Sequence, residues 1–350
     1  MSAVTTGAVL APNWLGDAVM SLPALAALLA ATPDRTWTVL ARAEVAPVYR
    51  MAHMPIRVEA LPRHRRLPRI EGHKSTRELV IFPNSFHAAL LALRLGGRRR
   101  IGYARDRRGW LLNPAIPAPA PGSLPGHESF YYLELLRQAG FIAGLPAEEP
   151  ARLRVPLYPD RARVARWRRE LAPALPESRI AALHVGSAFG SAKCWLPERF
   201  AELAGELARR GVCVVLIGGN AERELARKIR MLAPHPEQLK NLAGETSLED
   251  LVALIAAADV LVANDSGPMH VAGAVGTPVV ALFGSTNEKE TYPLTENGKL
   301  RLIKAPGIAC SPCKLRECPI DHRCMRNIPV ARVMAETEAV LFAEGKAVRS

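Results

Sequence analysis

Short, wholly apolar runs alternate with amphipathic stretches along most of this sequence. Strands that lack polar alternation are buried on both faces, and helices between them supply the cover that a parallel sheet needs. The pattern predicts an α/β protein of two Rossmann-like, doubly wound domains that face each other across a cleft. The predicted strands are residues 7–12, 36–42, 78–83, 178–187, 212–219, 258–265 and 279–285, and the predicted helices are residues 18–32, 85–96, 196–211, 220–234 and 247–258.

The length of 350 residues also favours two domains, because a single core rarely grows that large. We predict a first domain over residues 1–158 and a second over residues 159–326, with the linker near 154–160. No segment has the roughly 18 consecutive apolar residues of a membrane span. The start of the chain reads as a poor secretory signal, and the six cysteines favour a reducing, cytoplasmic compartment.

The net charge of +13 is concentrated in the first half of the chain. Residues 1–155 carry 20 Lys and Arg against 11 Asp and Glu, mainly in the basic runs at 63–69 and 94–108. Such runs form either a solvated face or a surface for anionic lipid or a phosphorylated glycolipid. Nucleic acid ranks lower as a partner, because aromatic residues are only 5% and do not interleave with the basic ones.

The segment Asn264-Asp265-Ser266-Gly267-Pro268 ends an apolar run and leads into a small-residue stretch that contains His270. One interpretation is a helix cap, in which the Asp265 or Ser266 side chain accepts a hydrogen bond from a free amide. The other is an anion site, since a helix N-terminus offers unpaired amides and Gly267 lets a ligand approach the backbone.

Three further turns follow predicted strands and carry polar side chains. The Gly- and Ser-rich loop that begins at Gly186 and Ser187 ends in Lys193, a pattern suited to phosphate binding. Glu222 comes early in the next predicted helix, where it either holds ribose hydroxyls or complements the helix dipole. Asp17, after the first strand, is either a helix cap or a general base. None of these turns matches the dinucleotide fingerprint or the phosphate loop of NTPases.

Taken in order and spacing, these motifs resemble the ADP-heptose:lipopolysaccharide heptosyltransferases (glycosyltransferase family 9), most closely their heptosyltransferase II branch. The resemblance runs almost end to end. Its motifs are NWLGDAVMSLPAL, FPNSFHAAL, RIGYARDRRGWLLN, GSAFGSAKCW, NLAGETSLEDLVALIAAAD and NDSGPMHVAGAVGTPVVALFGST. Two positions depart from the family pattern: Ala188, where an acid is expected, and Leu196, where Pro commonly stands.

The resemblance implies a metal-independent, inverting glycosyltransferase of GT-B architecture, with ADP-heptose as donor and no further cofactor. Its first domain would bind the acceptor and its second the nucleotide sugar, and a C-terminal helix over 327–350 would pack back on the first domain. The implied catalytic residues are Asp17 as base and Lys193. The implied donor-binding residues are Gly186, Ser187, Lys193, Glu222, Asp265, Ser266, Gly267 and His270.

The implied acceptor is a heptosyl-Kdo2-lipid A glycolipid at the cytoplasmic face of the inner membrane, where the protein would be peripheral. The candidate acceptor-binding residues are Asn84, Ser85, Arg105, Arg107 and Arg108. Transfer of the first or third heptose, or use of another nucleotide sugar, remains the alternative. An epimerase would need more acid/base residues in the donor site, and a basic membrane module would not explain the separate phosphate loops.

Four cysteines lie within fifteen residues, at Cys310, Cys313, Cys318 and Cys324. The spacing is compatible with a structural zinc or iron–sulfur site, with two local disulfides, or with reduced thiols in a compact loop. Spacing alone does not choose among them.

Overall fold

The computed structural model describes residues 5–61, 78–146, 150–172 and 178–342. The chain divides into two compact units, Met1–Leu157 and Tyr158–Ser350. Each unit is built on a six-stranded sheet whose neighbouring strands are parallel, which confirms the predicted α/β class. The basic run at 63–69 lies outside the described residues.

The first unit has the strand order β3-β2-β1-β4-β5-β6. Its inner strand β4 is buried along its whole length, as expected for a parallel strand between helical layers. The strands are β1 (Thr5–Leu10), β2 (Arg35–Arg42), β3 (Arg57–Leu61), β4 (Glu78–Ile81), β5 (Arg99–Tyr103) and β6 (Ala115–Ile116). The helices are α1 (Leu15–Met20), α2 (Leu22–Ala31), α3 (Ala46–Met51), α4 (Phe86–Arg94), α5 (Ser129–Gln138) and α6 (Pro150–Leu153).

The single helix predicted over 18–32 is wrong in two respects. Helix α1 begins three residues earlier, at Leu15, and Ser21 separates it from α2. Pro23 causes the break, because it has no amide hydrogen to donate to the preceding turn and fits only the first turn of a new helix. The earlier start places Asp17 inside the first turn of α1.

The second unit repeats the design with the order β12-β11-β10-β7-β8-β9. Helix α8 begins at Pro197, as predicted. The strands are β7 (Ile180–His184), β8 (Cys213–Ile217), β9 (Leu239–Asn241), β10 (Val260–Asn264), β11 (Val279–Phe283) and β12 (Leu300–Lys304). The helices are α7 (Arg161–Leu171), α8 (Pro197–Arg209), α9 (Arg223–Leu232), α10 (Leu248–Ala257), α11 (Gly267–Val275), α12 (Glu288–Thr291), α13 (Arg323–Arg326) and α14 (Val330–Leu341). Within the described ranges of both units, no helix is long and apolar enough to cross a bilayer.

Helix α14 buries its apolar face in the second unit. Val333 and Leu341 belong to the same core cluster as residues of α8 and β10. An ion pair between Arg210 and Glu338, at 2.6 Å, ties the helix to the end of α8. The described part of the 327–350 segment is therefore anchored on the second unit, and its packing on the first domain stays a prediction.

Both sheets have a topological switch point, where successive strands wind first to one side and then to the other. In the first unit it lies between β1 and β4, and in the second between β7 and β10. Loops that leave the carboxyl ends of such strand pairs diverge and open a crevice, which is where ligands bind in open α/β sheets. The loops in which this fold places a ligand site are therefore the four that follow β1, β4, β7 and β10.

The contact between β1 and Trp37 provides a test of the first core. A Cβ added at Gly7 would lie 2.5 Å from the fully buried Trp37 ring. We expect Gly7→Ala to lower the free energy of unfolding by about 1–3 kcal/mol, the usual cost of overpacking, as measured by urea denaturation followed by circular dichroism. Gly144→Ala is the control, because no atom lies within 4 Å of its added Cβ. Equal losses in both variants would contradict the steric explanation.

Candidate functional site

Asp17 lies beside the switch point of the first unit. The N-cap of α1 is Trp14, and no side chain caps this helix, so Asp17 is not the cap that one interpretation required. The carboxylate is half-buried and acts on two buried phenols. Burial raises the pKa of Tyr132 well above its usual value, and the negative charge of Asp17 adds to that shift; the same two causes raise the pKa of Tyr49. The Asp17 carboxylate therefore lies near enough to both phenols for its charge to affect them.

The loop after β4 is held by a buried guanidinium. Arg108 is fully buried and donates from Nε to the Tyr103 carbonyl at 3.0 Å and from Nη1 to the carbonyls of Pro83 and Ser85. Burial lowers the pKa of Arg108 from its usual value. Its hydrogen bonds are therefore used inside the unit, and Arg108 positions the loop that carries Asn84.

Arg105 and Arg107 lie on the exposed turn that follows β5. Arg107 and the adjacent Asp106 have positive φ angles, 55° and 50°, a conformation that non-glycine residues adopt rarely. A side-chain hydrogen bond to Tyr131 is the main cause that raises the pKa of Arg105, and Asn84 donates to the same hydroxyl at 3.0 Å. The turns after β4 and β5 thus meet at Tyr131 and present two cations to solvent.

In the second unit, the buried amide of Asn264 joins the loops after β7 and β10. Its Oδ1 accepts from the Trp195 amide at 2.9 Å. Its Nδ2 donates to the carbonyls of Val185 and Gly186 at 3.0 and 3.2 Å. One side chain with no exposed surface therefore fixes both ends of the loop that carries Lys193.

Asp265 is the acceptor on which three loops converge. Its Oδ2 accepts from Lys193 Nζ at 2.6 Å and from Thr286 Oγ1 at 2.6 Å, and its Oδ1 accepts from Thr291 Oγ1 at 3.3 Å. The Lys193 ammonium also lies 4.7 Å from the centroid of the Phe189 ring. Sequence reasoning named Lys193 and Asp265 separately, and the structure brings them into direct contact.

Ser266 is the N-cap residue of α11 and Pro268 lies in the first turn, as the capping interpretation predicts, but the Ser266 side chain accepts no hydrogen bond from a helix amide. Ser266 Oγ donates to the Asn264 carbonyl and lies 2.9 Å from His184 Nδ1. Because a hydroxyl has one hydrogen, His184 Nδ1 must be the donor to Ser266 Oγ. The Ser266 side chain therefore does not cap the first turn of α11, which begins at Gly267 and contains the buried His270.

Glu222 closes over the glycines of two neighbouring strand ends. Its Oε2 accepts from the Gly219 amide at 2.7 Å, so the local helix-start role is present. A Cβ at Gly186 would lie 2.2 Å from Glu222 Cγ, and one at Gly218 would lie 2.8 Å from Glu222 Cβ. Glycine at both positions is what allows the carboxylate to approach the loop after β7.

The second unit therefore brings its predicted donor-binding residues to one edge of its sheet, while the role of each stays a prediction. Ser187 accepts from the Phe189 amide at 3.3 Å and shapes the same loop. Sequence reasoning missed the side chains that position this site: His184, Phe189, Asn264 and Thr286. Of these, Phe189, Asn264 and Thr286 were within reach, because they lie inside motifs that were singled out.

The four clustered cysteines are unpaired, as are Cys194 and Cys213. Cys310 and Cys313 are exposed, whereas burial raises the pKa of Cys324. Throughout the part of the chain that the structure describes, no three His, Cys, Asp or Glu side chains are grouped as metal ligands would be. Neither of the two local disulfides is formed.

Comparison with known proteins gives consistent matches. A family model described as glycosyltransferase family 9 (heptosyltransferase) matches residues 75–323. The lipopolysaccharide heptosyltransferase 2 of Salmonella typhimurium is 31% identical over 96% of this chain and 99% of its own length. That of Escherichia coli is 30% identical over 96% and 98%. The structure of E. coli ADP-heptose lps heptosyltransferase II superposes with a TM-score of 0.77 at 27% identity, covering 97% of this chain and 99% of that one.

The buried His184 predicts a pH dependence of stability. Burial lowers its pKa from 6.5 to about 4. Below pH 6.5 the unfolded chain therefore binds a proton that the folded protein does not, and stability falls as the pH drops towards 4, by up to about 3 kcal/mol from this group. Urea denaturation at pH 7, 6 and 5 should show this slope, and His184→Asn should reduce it.

His87→Asn is the matched control, because His87 is exposed. We expect it to leave the slope unchanged. The same slope in His184→Asn as in the unsubstituted protein would refute the assignment.

Proposed function

Because this chain belongs to glycosyltransferase family 9 (heptosyltransferase), we propose that it transfers L-glycero-D-manno-heptose from ADP-heptose to heptosyl-Kdo2-lipid A, with inversion, in lipopolysaccharide inner-core synthesis. Its two α/β units, each built on a sheet of parallel strands, agree with the GT-B architecture of such transferases. The observation that carries the proposal is the joined pair of loops at the switch point of the second unit, where Lys193 meets Asp265.

The donor half of the reaction is assigned to the second unit. The diphosphate binds the loop from Gly186 to Lys193 and the first turn of α11, where the helix dipole favours negative charge. Glu222 accepts hydrogen bonds from ribose hydroxyls, a role that its free oxygen can fill while Oε2 keeps the Gly219 amide. Lys193 stabilises the charge that builds on the departing ADP.

The acceptor half is assigned to the first unit. Inverting transfer is a single displacement, so a base must remove the proton of the attacking hydroxyl while ADP leaves from the opposite face of the sugar. Asp17 is the proposed base, because its half-buried carboxylate lies at the switch point of that sheet. Asn84, Ser85, Arg105 and Arg107 are the proposed contacts for the anionic acceptor, and Arg108 holds their loops in place.

Peripheral attachment to the cytoplasmic face of the inner membrane is assigned to an aromatic pair next to these cations. The rings of Phe86 and Trp110 lie 6.2 Å apart, and 43% and 73% of their surfaces are exposed. Aromatic side chains favour the headgroup region of a bilayer, and nearby arginines favour anionic lipid. The Phe86–Trp110 pair and the cations of the 105–107 turn thus provide one surface of suitable chemistry.

Replacement of Asp17 tests the catalytic assignment. Asp17→Asn keeps the size of the side chain but removes the base, so we expect turnover to fall about 10²–10⁴-fold while ADP-heptose binding is retained. Purified protein is incubated with ADP-heptose and acceptor, and products are read by mass spectrometry. Asp34→Asn, at an exposed position of the same unit, is the control. Full activity of Asp17→Asn would remove Asp17 from the mechanism.

Running that assay with two different acceptors, heptosyl-Kdo2-lipid A and bare Kdo2-lipid A, shows which heptose the enzyme adds. One heptose on heptosyl-Kdo2-lipid A alone is the expected product. Addition to bare Kdo2-lipid A would instead identify transfer of the first heptose. ADP binding without transfer to either acceptor would overturn the proposed substrates.

Vesicle sedimentation tests the membrane surface. Trp110→Ala removes the more exposed ring, and we expect it to weaken binding to vesicles rich in phosphatidylglycerol by about threefold or more. Met231→Ala, which removes an equally exposed apolar side chain from the second unit, should bind like the unsubstituted protein. Equal binding to neutral phosphatidylcholine vesicles would contradict the role of the arginines.

A further inference from the structure

The cysteine-rich segment, residues 310–324, is fastened to two loops of the proposed donor site. The Arg316 carbonyl accepts from the Ala192 amide at 2.9 Å. His322 Nε2 donates to the Ala192 carbonyl at 3.0 Å. On the other side, the Lys314 amide donates to the Ser285 carbonyl at 2.7 Å. The segment thus forms one wall of the loop that carries Lys193.

Gly190 allows this close approach. Its φ angle of +153° belongs to a region that other residues rarely adopt, and a Cβ there would lie 2.3 Å from the Arg316 carbonyl oxygen. Only glycine therefore fits between the two segments. The approach fixes the backbone of Arg316 relative to the phosphate-binding loop.

The Arg316 side chain shares an aromatic ring with Lys193. The guanidinium carbon lies 5.4 Å from the centroid of Phe189, and the Lys193 ammonium lies 4.7 Å from the same centroid. Cation–π attraction places both cations against the same ring. Phe189 lies in the loop that carries Lys193, so Arg316 is held beside that loop.

The charge balance of the site also requires a second cation. Lys193 is already paired with Asp265, so only part of its charge is available to a multiply charged diphosphate. Among the described residues, no carboxylate is paired with Arg316. Its planar fork of donors suits phosphate oxygens better than an ammonium does.

We propose that Arg316 is a second diphosphate-binding cation, presented by the cysteine-rich segment beside Lys193 and oriented by Phe189. This assignment rests on the proposed function, since it takes the diphosphate of a nucleotide sugar as the ligand. It also gives the cysteine-rich segment a role in donor binding that depends on its backbone contacts.

Calorimetric titration with ADP, AMP and adenosine tests the assignment on the full-length protein. We expect Arg316→Ala to weaken ADP binding about 10- to 100-fold, the loss of charge-assisted hydrogen bonds. AMP binding should weaken less, and adenosine binding should not change. Arg316→Lys should restore part of the ADP affinity. Arg323→Ala is the control, because Arg323 lies in the same segment but pairs with Asp321.

The outcomes separate this assignment from the proposed function. If the unsubstituted protein binds ADP and transfers heptose while Arg316→Ala keeps full ADP affinity, the Arg316 assignment alone is overturned. If adenosine binding weakens as much as ADP binding, Arg316 maintains the loop and does not contact phosphate, which also overturns it. If the unsubstituted protein binds neither ADP nor ADP-heptose, both proposals fail together.

Discussion

The site in the second unit depends on one buried amide. Asn264 ends β10, and its three hydrogen bonds hold the start and the end of the loop that leaves β7. Leaving such donors and acceptors unpaired in a buried place costs about 1–3 kcal/mol each. The loop therefore keeps its shape only while Asn264 is present, and with it the positions of Gly186 and Lys193. Asp265, the next residue, accepts hydrogen bonds from Lys193 and Thr286.

Several arginines of the first unit hold its strands and loops together. Arg99 and Arg35 both pair with the buried Glu78, and Arg100 donates to the carbonyls of Gly97 and Leu111. Arg108 likewise donates its hydrogen bonds to backbone carbonyls, those of Tyr103 and Ser85. The basic run at 94–108 is thus divided between arginines that hold strands and loops in place and the remaining arginines, all at exposed positions, which are Arg94, Arg98, Arg105 and Arg107. A count of charges cannot distinguish the structural arginines from the exposed ones, because the difference depends on which side of each strand or turn a residue occupies.

The sequence was informative where a residue type has few structural alternatives. Apolar runs predicted the central strands, because only a parallel sheet covered on both faces buries them completely, and Pro197 predicted the start of α8. Strand β5, with the sequence RRIGY, was missed because its first arginines are satisfied by partners distant in the chain. The contact between Lys193 and Asp265 was not predictable either, since it follows from the strand order, which places β7 beside β10.

The proposed donor residues and all the side chains that position them lie within Tyr158–Ser350. The contacts described above for Asn264, His184, Thr286 and Phe189 each join two residues of this unit. The unit proposed to bind the nucleotide sugar thus positions its site through bonds within itself. Under the proposed assignment of acceptor to the first unit and donor to the second, acceptor preference can diverge among such proteins by change in one half of the gene while the other half stays constant.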